Sequence, residues 1–327
     1  MAVGLIYRFP KGKNGYVFKN SAGKTIKDKK LLKFAQSFYI APAYKNVEIH
    51  PDPKDKILYT AIDVGGKKQY FYKEFWHNKQ DRKKFCHMIE FGKAMPKIKK
   101  QISKDLAAKR WTQDRIVALQ LKIMILCNFR VGNLINGNKT KSTGISTLKR
   151  KHLFYSNNGN KPVEIKFIGK SGIENQCTVK DKQVIKLIKE LAKSRKKGDY
   201  LFVNGNGTRI DSVAINKYLK QFGEFTSKDF RTWVANTQFI KGALSNKNAP
   251  SEAITARKKE AREAVKGAAE QLHHTVAICK KRYIYPKLFE LYVEEPRKFM
   301  KILEKVYRKN GEEKAFVQFM ESNCSSS

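Results

Sequence analysis

Around Trp76 the hydrophobic pattern of this chain changes period, so the chain must be built from two differently made parts. From residue 1 to 78 the apolar residues come in short clusters punctuated by turn formers. Tyr16-Val-Phe-Lys19 and Val47-Glu-Ile49 read as strands, Asn20-Ser-Ala-Gly23 as a turn, and Pro51-Asp-Pro53 as the approach to a strand over 57–62. Leu31, Leu32, Phe34, Ala35 and Phe38 fall on one face of a helix that Asp28 opens. Val64-Gly-Gly66 leads to a last strand, Lys67-Lys-Gln-Tyr-Phe-Tyr72, in which basic and amide groups alternate with aromatics. Such a strand can lie along a nucleic-acid backbone and its bases, and taken alone it reads equally as a solvated hairpin edge.

After residue 78 helical spacing dominates. Helices are expected over 81–100, with a break near Pro96, and from an N-cap at Thr112 to about Arg130. The loop over 132–144, rich in Gly, Asn, Lys and Ser, is expected to be mobile without ligand. Strands return at 148–155, 163–168 and 175–179, the last two joined by the hairpin turn Gly169-Lys-Ser-Gly172. Helices resume over 182–193, 212–222 behind Asp211, 227–243, 251–272 and 296–307, and Cys324-Ser-Ser-Ser327 is expected to fray. The expected class is α+β: a small β-rich domain over 1–78, then a larger, mainly helical domain over 79–327 with a small β-hairpin or sheet. At 327 residues the chain has room for two cores.

The charge balance names the kind of partner. Against 29 Asp and Glu stand 68 Lys and Arg, a formal excess of +39 that repels itself and calls for a polyanion. A membrane fits less well, because the most apolar run, 116–129, is interrupted by Gln120 and Lys122 and is too short to span a bilayer. No secretory signal opens the sequence, since Met1-Ala-Val-Gly-Leu-Ile-Tyr is followed by Arg8 and Pro10. The five cysteines, Cys86, Cys127, Cys177, Cys279 and Cys324, are odd in number and scattered, without a Cys-x-x-Cys pair. They point to a reducing compartment and away from zinc.

Within the basic segment Gln271 to Tyr285, a histidine at a helix end is followed by Lys280, Lys281, Arg282 and Tyr283. A phenol has a reference pKa of about 10 and is a poor nucleophile unless cations favour its anion. Four further groups stand at joints from which they can be aimed. Arg130 closes an apolar helix before Gly132, and Lys170 sits at a hairpin tip between Gly169 and Gly172. Arg231 lies in the first turn of the helix begun by Thr226-Ser-Lys-Asp-Phe-Arg, and His274 ends the helix ahead of Tyr283. Each alone reads equally as a surface cation or, for His274, as a helix C-terminal charge.

Together, Arg130-Val-Gly-Asn133, Gly144-Ile-Ser-Thr-Leu148, Phe167-Ile-Gly-Lys-Ser-Gly172, Lys228-Asp-Phe-Arg-Thr-Trp233 and His274-Thr-x5-Lys-x-Tyr-Ile-x-Pro286 closely resemble the short type IB DNA topoisomerases of poxviruses, giant viruses and bacteria. Ile40-Ala-Pro-Ala-Tyr44, Pro51-Asp-Pro53, Gly66-Lys-Lys-Gln-Tyr-Phe-Tyr72 and Trp76 extend the likeness over nearly the whole chain. The resemblance implies a catalytic domain of the tyrosine recombinase/type IB topoisomerase fold. It makes Tyr283 the nucleophile that leaves a 3′-phosphotyrosyl enzyme and a free 5′-hydroxyl, Arg130, Arg231 and His274 the donors to the phosphate oxygens, and Lys170 the general acid, assisted by Lys228. Gln69, Tyr70, Tyr72, Lys228, Thr147 and Lys149 would meet DNA. The implied partner is double-stranded DNA clamped by a monomer, with no metal, no ATP and no other cofactor. The implied place is intracellular and DNA-associated: a viral factory or virion for a viral enzyme, a nucleoid for a bacterial one.

Two positions depart from the family pattern. Asn136 stands where a tyrosine is usual, and His273 where a small residue, commonly Gly, precedes the histidine. A tyrosine recombinase shares the chemistry, but its second arginine normally follows a histidine by three positions, where this chain has Lys228, and its amino-terminal domain is helical. A non-catalytic basic DNA- or RNA-binding protein would use the charge alone.

Overall fold

A computed structural model of the chain describes residues 4–12, 15–132, 143–155, 161–245 and 250–324. Most of the loop expected to be mobile, including Asn133 and Asn136, lies outside these residues, as do the terminal serines. The chain divides into two compact units, Met1–Lys84 and Phe85–Ser327. The architecture is α+β, a small antiparallel sheet in the first unit and a mainly helical second unit.

In the first unit β1 (Ile6–Lys11), β2 (Gly15–Lys19), β3 (Lys45–Ile49), β4 (Ile57–Ile62) and β5 (Lys68–Tyr72) form one antiparallel sheet of order β2-β1-β3-β4-β5. Helix α1 (Lys29–Gln36) is opened by Asp28, whose side chain accepts from the backbone of Lys30 and Leu31. Its apolar residues pack against Ile6, Phe18, Val47, Ile49, Tyr59 and Ala61. In register, Phe71 and Gln69 of β5 stand opposite Tyr59 and Ala61, and Tyr70 opposite Thr60. Side chains alternate along a strand, so Gln69 shares the core-side face while Tyr70 and Tyr72 share the other.

In the second unit α2 (Glu74–Leu106, which begins ahead of Phe85) and α3 (Gln113–Cys127) come first. Pro96 does not break α2, contrary to expectation, because Phe85, Met88, Phe91, Met95, Ile98, Ile102 and Leu106 are buried along both halves and hold the helix through it. Thr112 caps α3 by accepting from Arg115 N. A small sheet follows, β6 (Leu153–Phe154), β7 (Val163–Ile168) and β8 (Glu174–Val179), in that order. The strand expected over 148–155 shrinks to two residues, since the backbone before it bonds to the 197–201 segment instead: Arg150 N to Asp199 O at 3.0 Å and Leu201 N to Leu148 O at 2.8 Å.

The remaining helices are α4 (Lys182–Lys193), α5 (Ser212–Leu219), α6 (Ser227–Ser245), α7 (Ile254–Gln271), α8 (Val276–Arg282), α9 (Pro286–Glu294) and α10 (Pro296–Cys324), the last kinked at Gly311. The expected final helix thus runs on to Cys324, and α8 and α9 were not foreseen. No helix of the described residues is long and apolar enough to cross a membrane.

The cysteines pair in two places that their scattered spacing gave no sign of. Cys86 is bonded to Cys324 and Cys127 to Cys177, with Cα separations of 5.8 and 5.6 Å, leaving Cys279 buried and free. Sequence spacing concealed both pairs because their partners are 238 and 50 positions apart and meet only through the fold.

Candidate active site

Three segments of the second unit converge. The first leaves α3. Asn128 takes the left-handed conformation (φ 52°) and ends the helix, and Phe129 is fully buried with its ring 4.8 Å from that of Phe167. Arg130 therefore extends from a short segment pinned just past the helix, rather than closing the helix as expected. That segment is bracketed on its far side. Ile145 N donates to Arg130 O at 2.8 Å, Ser146 N to Val131 O at 2.6 Å and Ser146 Oγ to Gly132 O at 2.7 Å. Arg209 Nη1 supports Ser146 by donating to its carbonyl at 3.2 Å. Gly132 (φ 78°) and Gly144 approach so closely that a Cβ on either would strike the other's backbone, which is why both are glycine. Thr147, a predicted DNA contact, is 2% exposed, and its hydroxyl accepts from Gly144 N at 2.9 Å. It serves the bracket.

The second segment is α6, which carries Arg231 one turn in from its start. Arg231 is 6% exposed, and its guanidinium is held by two carbonyls, Nη1 donating to Asn128 O at 2.7 Å and Nη2 to Leu272 O at 2.6 Å. Its Nε has no partner among the described residues. Burial pulls its pKa below the ordinary value, Tyr283 opposes that pull, and the charge of Arg130 adds to it.

The third segment is the turn between α7 and α8. His273 is left-handed (φ 51°), His274 N donates to Ala269 O at 2.9 Å, and Thr275 caps α8 by accepting from Ile278 N. His274 thus sits in a turn, not at a helix end. Tyr283 ends α8, its ring centroid 5.1 Å from that of His274 and 5.6 Å from the Arg231 guanidinium carbon. Arg130 Nη2 donates to the His274 ring, 3.2 Å from Nδ1 and in contact with Nε2. Burial, and then the charges of Arg130, Arg231, His273 and Lys170, push the His274 pKa down to about 3. The imidazole is therefore neutral near pH 7: one nitrogen accepts from Arg130 and the other keeps a proton to donate.

Sequence reasoning missed Asn236, which is fully buried on α6, five positions beyond Arg231. Its Nδ2 donates to Tyr283 O at 2.9 Å and to Thr232 O at 2.7 Å, and its Oδ1 accepts from Tyr285 N at 2.8 Å. The amide fixes the backbone at the nucleophile candidate and just beyond it. A polar residue amid the apolar positions of α6 was the available signal.

Lys170 is exposed at the β7–β8 turn, where Gly169 N donates to Ile173 O at 2.8 Å, and its charge reaches His274. Lys228 is exposed three positions before Arg231, on the same side of α6. Lys149 holds its Nζ 4.9 Å from the Tyr200 ring centroid. Gln69 Nε2 donates to Asp63 Oδ2 at 2.7 Å, Tyr70 is 52% exposed, and the Tyr72 ring is 6.0 Å from His77. Among the described residues no group of three or more His, Cys, Asp or Glu is arranged to hold a metal.

The site can therefore present two guanidinium groups, a neutral imidazole donor and a phenol to one small anion. Residues 73–310 match the family model for the catalytic core of eukaryotic DNA topoisomerase I. The chain is 34% identical over 297 residues to the DNA topoisomerase 1B of Acanthamoeba polyphaga mimivirus, covering 87% of this chain and 86% of the relative. It is 23% identical over 237 residues to the DNA topoisomerase I of Monkeypox virus and to the DNA topoisomerase 1B of Vaccinia virus (strain Copenhagen), covering 72% of this chain and 72% of each relative.

Proposed function

The chain belongs to the type IB DNA topoisomerase family, of the short viral type, and from that premise we propose that it cuts one strand of duplex DNA with Tyr283, keeps the cut end covalently, and reseals it, so that supercoils relax. The observation that carries this reading is that Arg231 and His274 lie beside the Tyr283 ring while Arg130 meets the His274 imidazole, the groups coming from three separate segments.

In the proposed step Tyr283 Oη attacks the phosphorus and the P–O5′ bond breaks. The phenol proton passes to solvent and Lys170 gives a proton to O5′. The products are a 3′-phosphotyrosyl ester and a 5′-hydroxyl, and resealing reverses the step. One phosphodiester replaces another, so the energy of the broken bond is retained and no nucleotide has to be hydrolysed.

Without DNA, Arg130 is engaged by a neutral imidazole and Arg231 by carbonyls. A phosphate oxyanion is the stronger acceptor for guanidinium, so DNA draws Arg130 from His274, the freed imidazole donates to an oxygen beside it, and the open Nε of Arg231 adds a donor. Such fixed cations stabilise the charge that develops in the transition state. Lys228 assists the proton transfer, and Lys149, Tyr70, Tyr72 and Gln69 contact the duplex, which the enzyme clamps as a monomer. The formal charge of +39 favours that encounter. The enzyme acts inside the cell, at DNA.

The test is relaxation of negatively supercoiled plasmid without nucleotide and with EDTA, together with denaturant trapping of the adduct. The expected result is relaxation and a covalent complex for the parent, and binding with neither for Tyr283→Phe. Relaxation by Tyr283→Phe at the parental rate would sink the reading.

A further inference from the structure

Position 273 holds an anomaly that the catalytic reading leaves unused. His273 adopts φ 51°, a region that costs a side chain energy and costs glycine almost none. A residue persists there when its surroundings over-determine it. Its surroundings are specific: the ring Nε2 lies 3.1 Å from Cys127 O, and the ring centroid lies 5.5 Å from that of Phe129. The group facing Nε2 at that distance is a carbonyl, so Nε2 carries the proton and donates. Cys127 is the last residue of α3, where carbonyls have no partner within the helix. The next carbonyl, Asn128 O, is held by Arg231. The root of the Arg130 segment is thus gripped by two side chains, one from α6 and one from the turn that carries His274.

We propose that His273 is a positioning residue: its bond to Cys127 O ties the turn carrying His274 to the root of the Arg130 segment, so that imidazole and guanidinium reach one phosphate together. The proposal rests on the catalytic reading above. It explains why a bulky residue is accepted at a left-handed position, since the side chain supplies a link that glycine lacks.

The experiment measures single-turnover formation of the Tyr283 adduct on a duplex oligonucleotide, alongside noncovalent binding and melting temperature. A parent that forms no adduct overturns the catalytic reading itself, before His273 is in question. With an active parent, His273→Gly removes the bond and the backbone cost together. It is expected to melt no lower than the parent, to bind DNA as tightly, and to form adduct roughly tenfold to a hundredfold more slowly, the scale of a small misplacement of reacting groups. His273→Gln restores an N–H donor at similar reach and is expected to recover most of the rate. A His273→Gly enzyme that cleaves at the parental rate overturns the proposal, and so does a slow one that His273→Gln leaves equally slow. If His273→Gly does not fold, His273→Asn, which tolerates the backbone but falls short of Cys127 O, is compared with His273→Gln under the same criteria.

Discussion

Arg130 and His274 stand 144 positions apart in sequence, yet Nη2 of one lies 3.2 Å from Nδ1 of the other. Beside that guanidinium the imidazole stays neutral, with its pKa near 3, and burial pushes His152 down to about 4. Both start from an ordinary value of 6.5. Between these limits the unfolded chain binds protons that the native chain refuses, so this stability is complete above pH 6.5 and is lost as pH falls toward 3. Urea midpoints should drop through that window, and His274→Asn should make the drop shallower. An unchanged pH slope in the variant would contradict the assignment. The cleavage rate should also show no inflection near pH 6.5 that His274→Asn removes.

Arg231 is expected to be irreplaceable by lysine. A single ammonium cannot occupy Asn128 O and Leu272 O in the fixed geometry of the two guanidinium nitrogens. Arg231→Ala and Arg231→Lys should each lower adduct formation by roughly a hundredfold to a thousandfold. Arg231→Ala should also lose about 1–3 kcal/mol of stability, because buried carbonyls are left without donors. Single-turnover kinetics and urea denaturation measure the two effects separately.

Asn236→Leu keeps most of the volume and removes the bonds to Tyr283 O and Tyr285 N. The stability cost should be about 1–3 kcal/mol, for the unpaired backbone groups left buried. Adduct formation should slow while noncovalent binding of the duplex is unchanged, because the amide orients the backbone of the phenol and does not touch DNA. Weakened binding with an unaltered cleavage step would contradict this.

Cys127–Cys177 joins the end of α3 to β8, one strand of the hairpin whose turn carries Lys170. Reduction by dithiothreitol, or the Cys127→Ala/Cys177→Ala pair, should lower stability by about 2–4 kcal/mol. The doubly substituted protein should lose the part of the dithiothreitol response that this bond supplies and keep the part due to Cys86–Cys324. Comparison of denaturation curves with and without reductant reads this directly.

Much of the candidate site was legible because its cations sit at joints that a sequence displays. Arg130 before a glycine, Lys170 inside a Gly-x-x-Gly turn, and Tyr283 after a basic run all carry local signals. The helical turn of α6 likewise fixed Arg231 relative to Lys228. What stayed hidden depended on contacts between distant positions. The bond from His273 to Cys127, the support of Ser146 by Arg209 and the two disulfides involve partners that no local window contains. Pro96 misled because local propensity favoured a break, while burial on both sides of it favoured continuity. In β5 the alternation was visible, but which face meets the core is decided by the register with β4.

Cys86 and Cys324 give the second unit a second covalent route between its two ends. The segment from Cys86 to Cys324 is a closed covalent loop, and a single backbone cut anywhere within it leaves both fragments attached. A protease that nicks the second unit should therefore yield a species that migrates at full mass until a thiol is added, and only then separates into two.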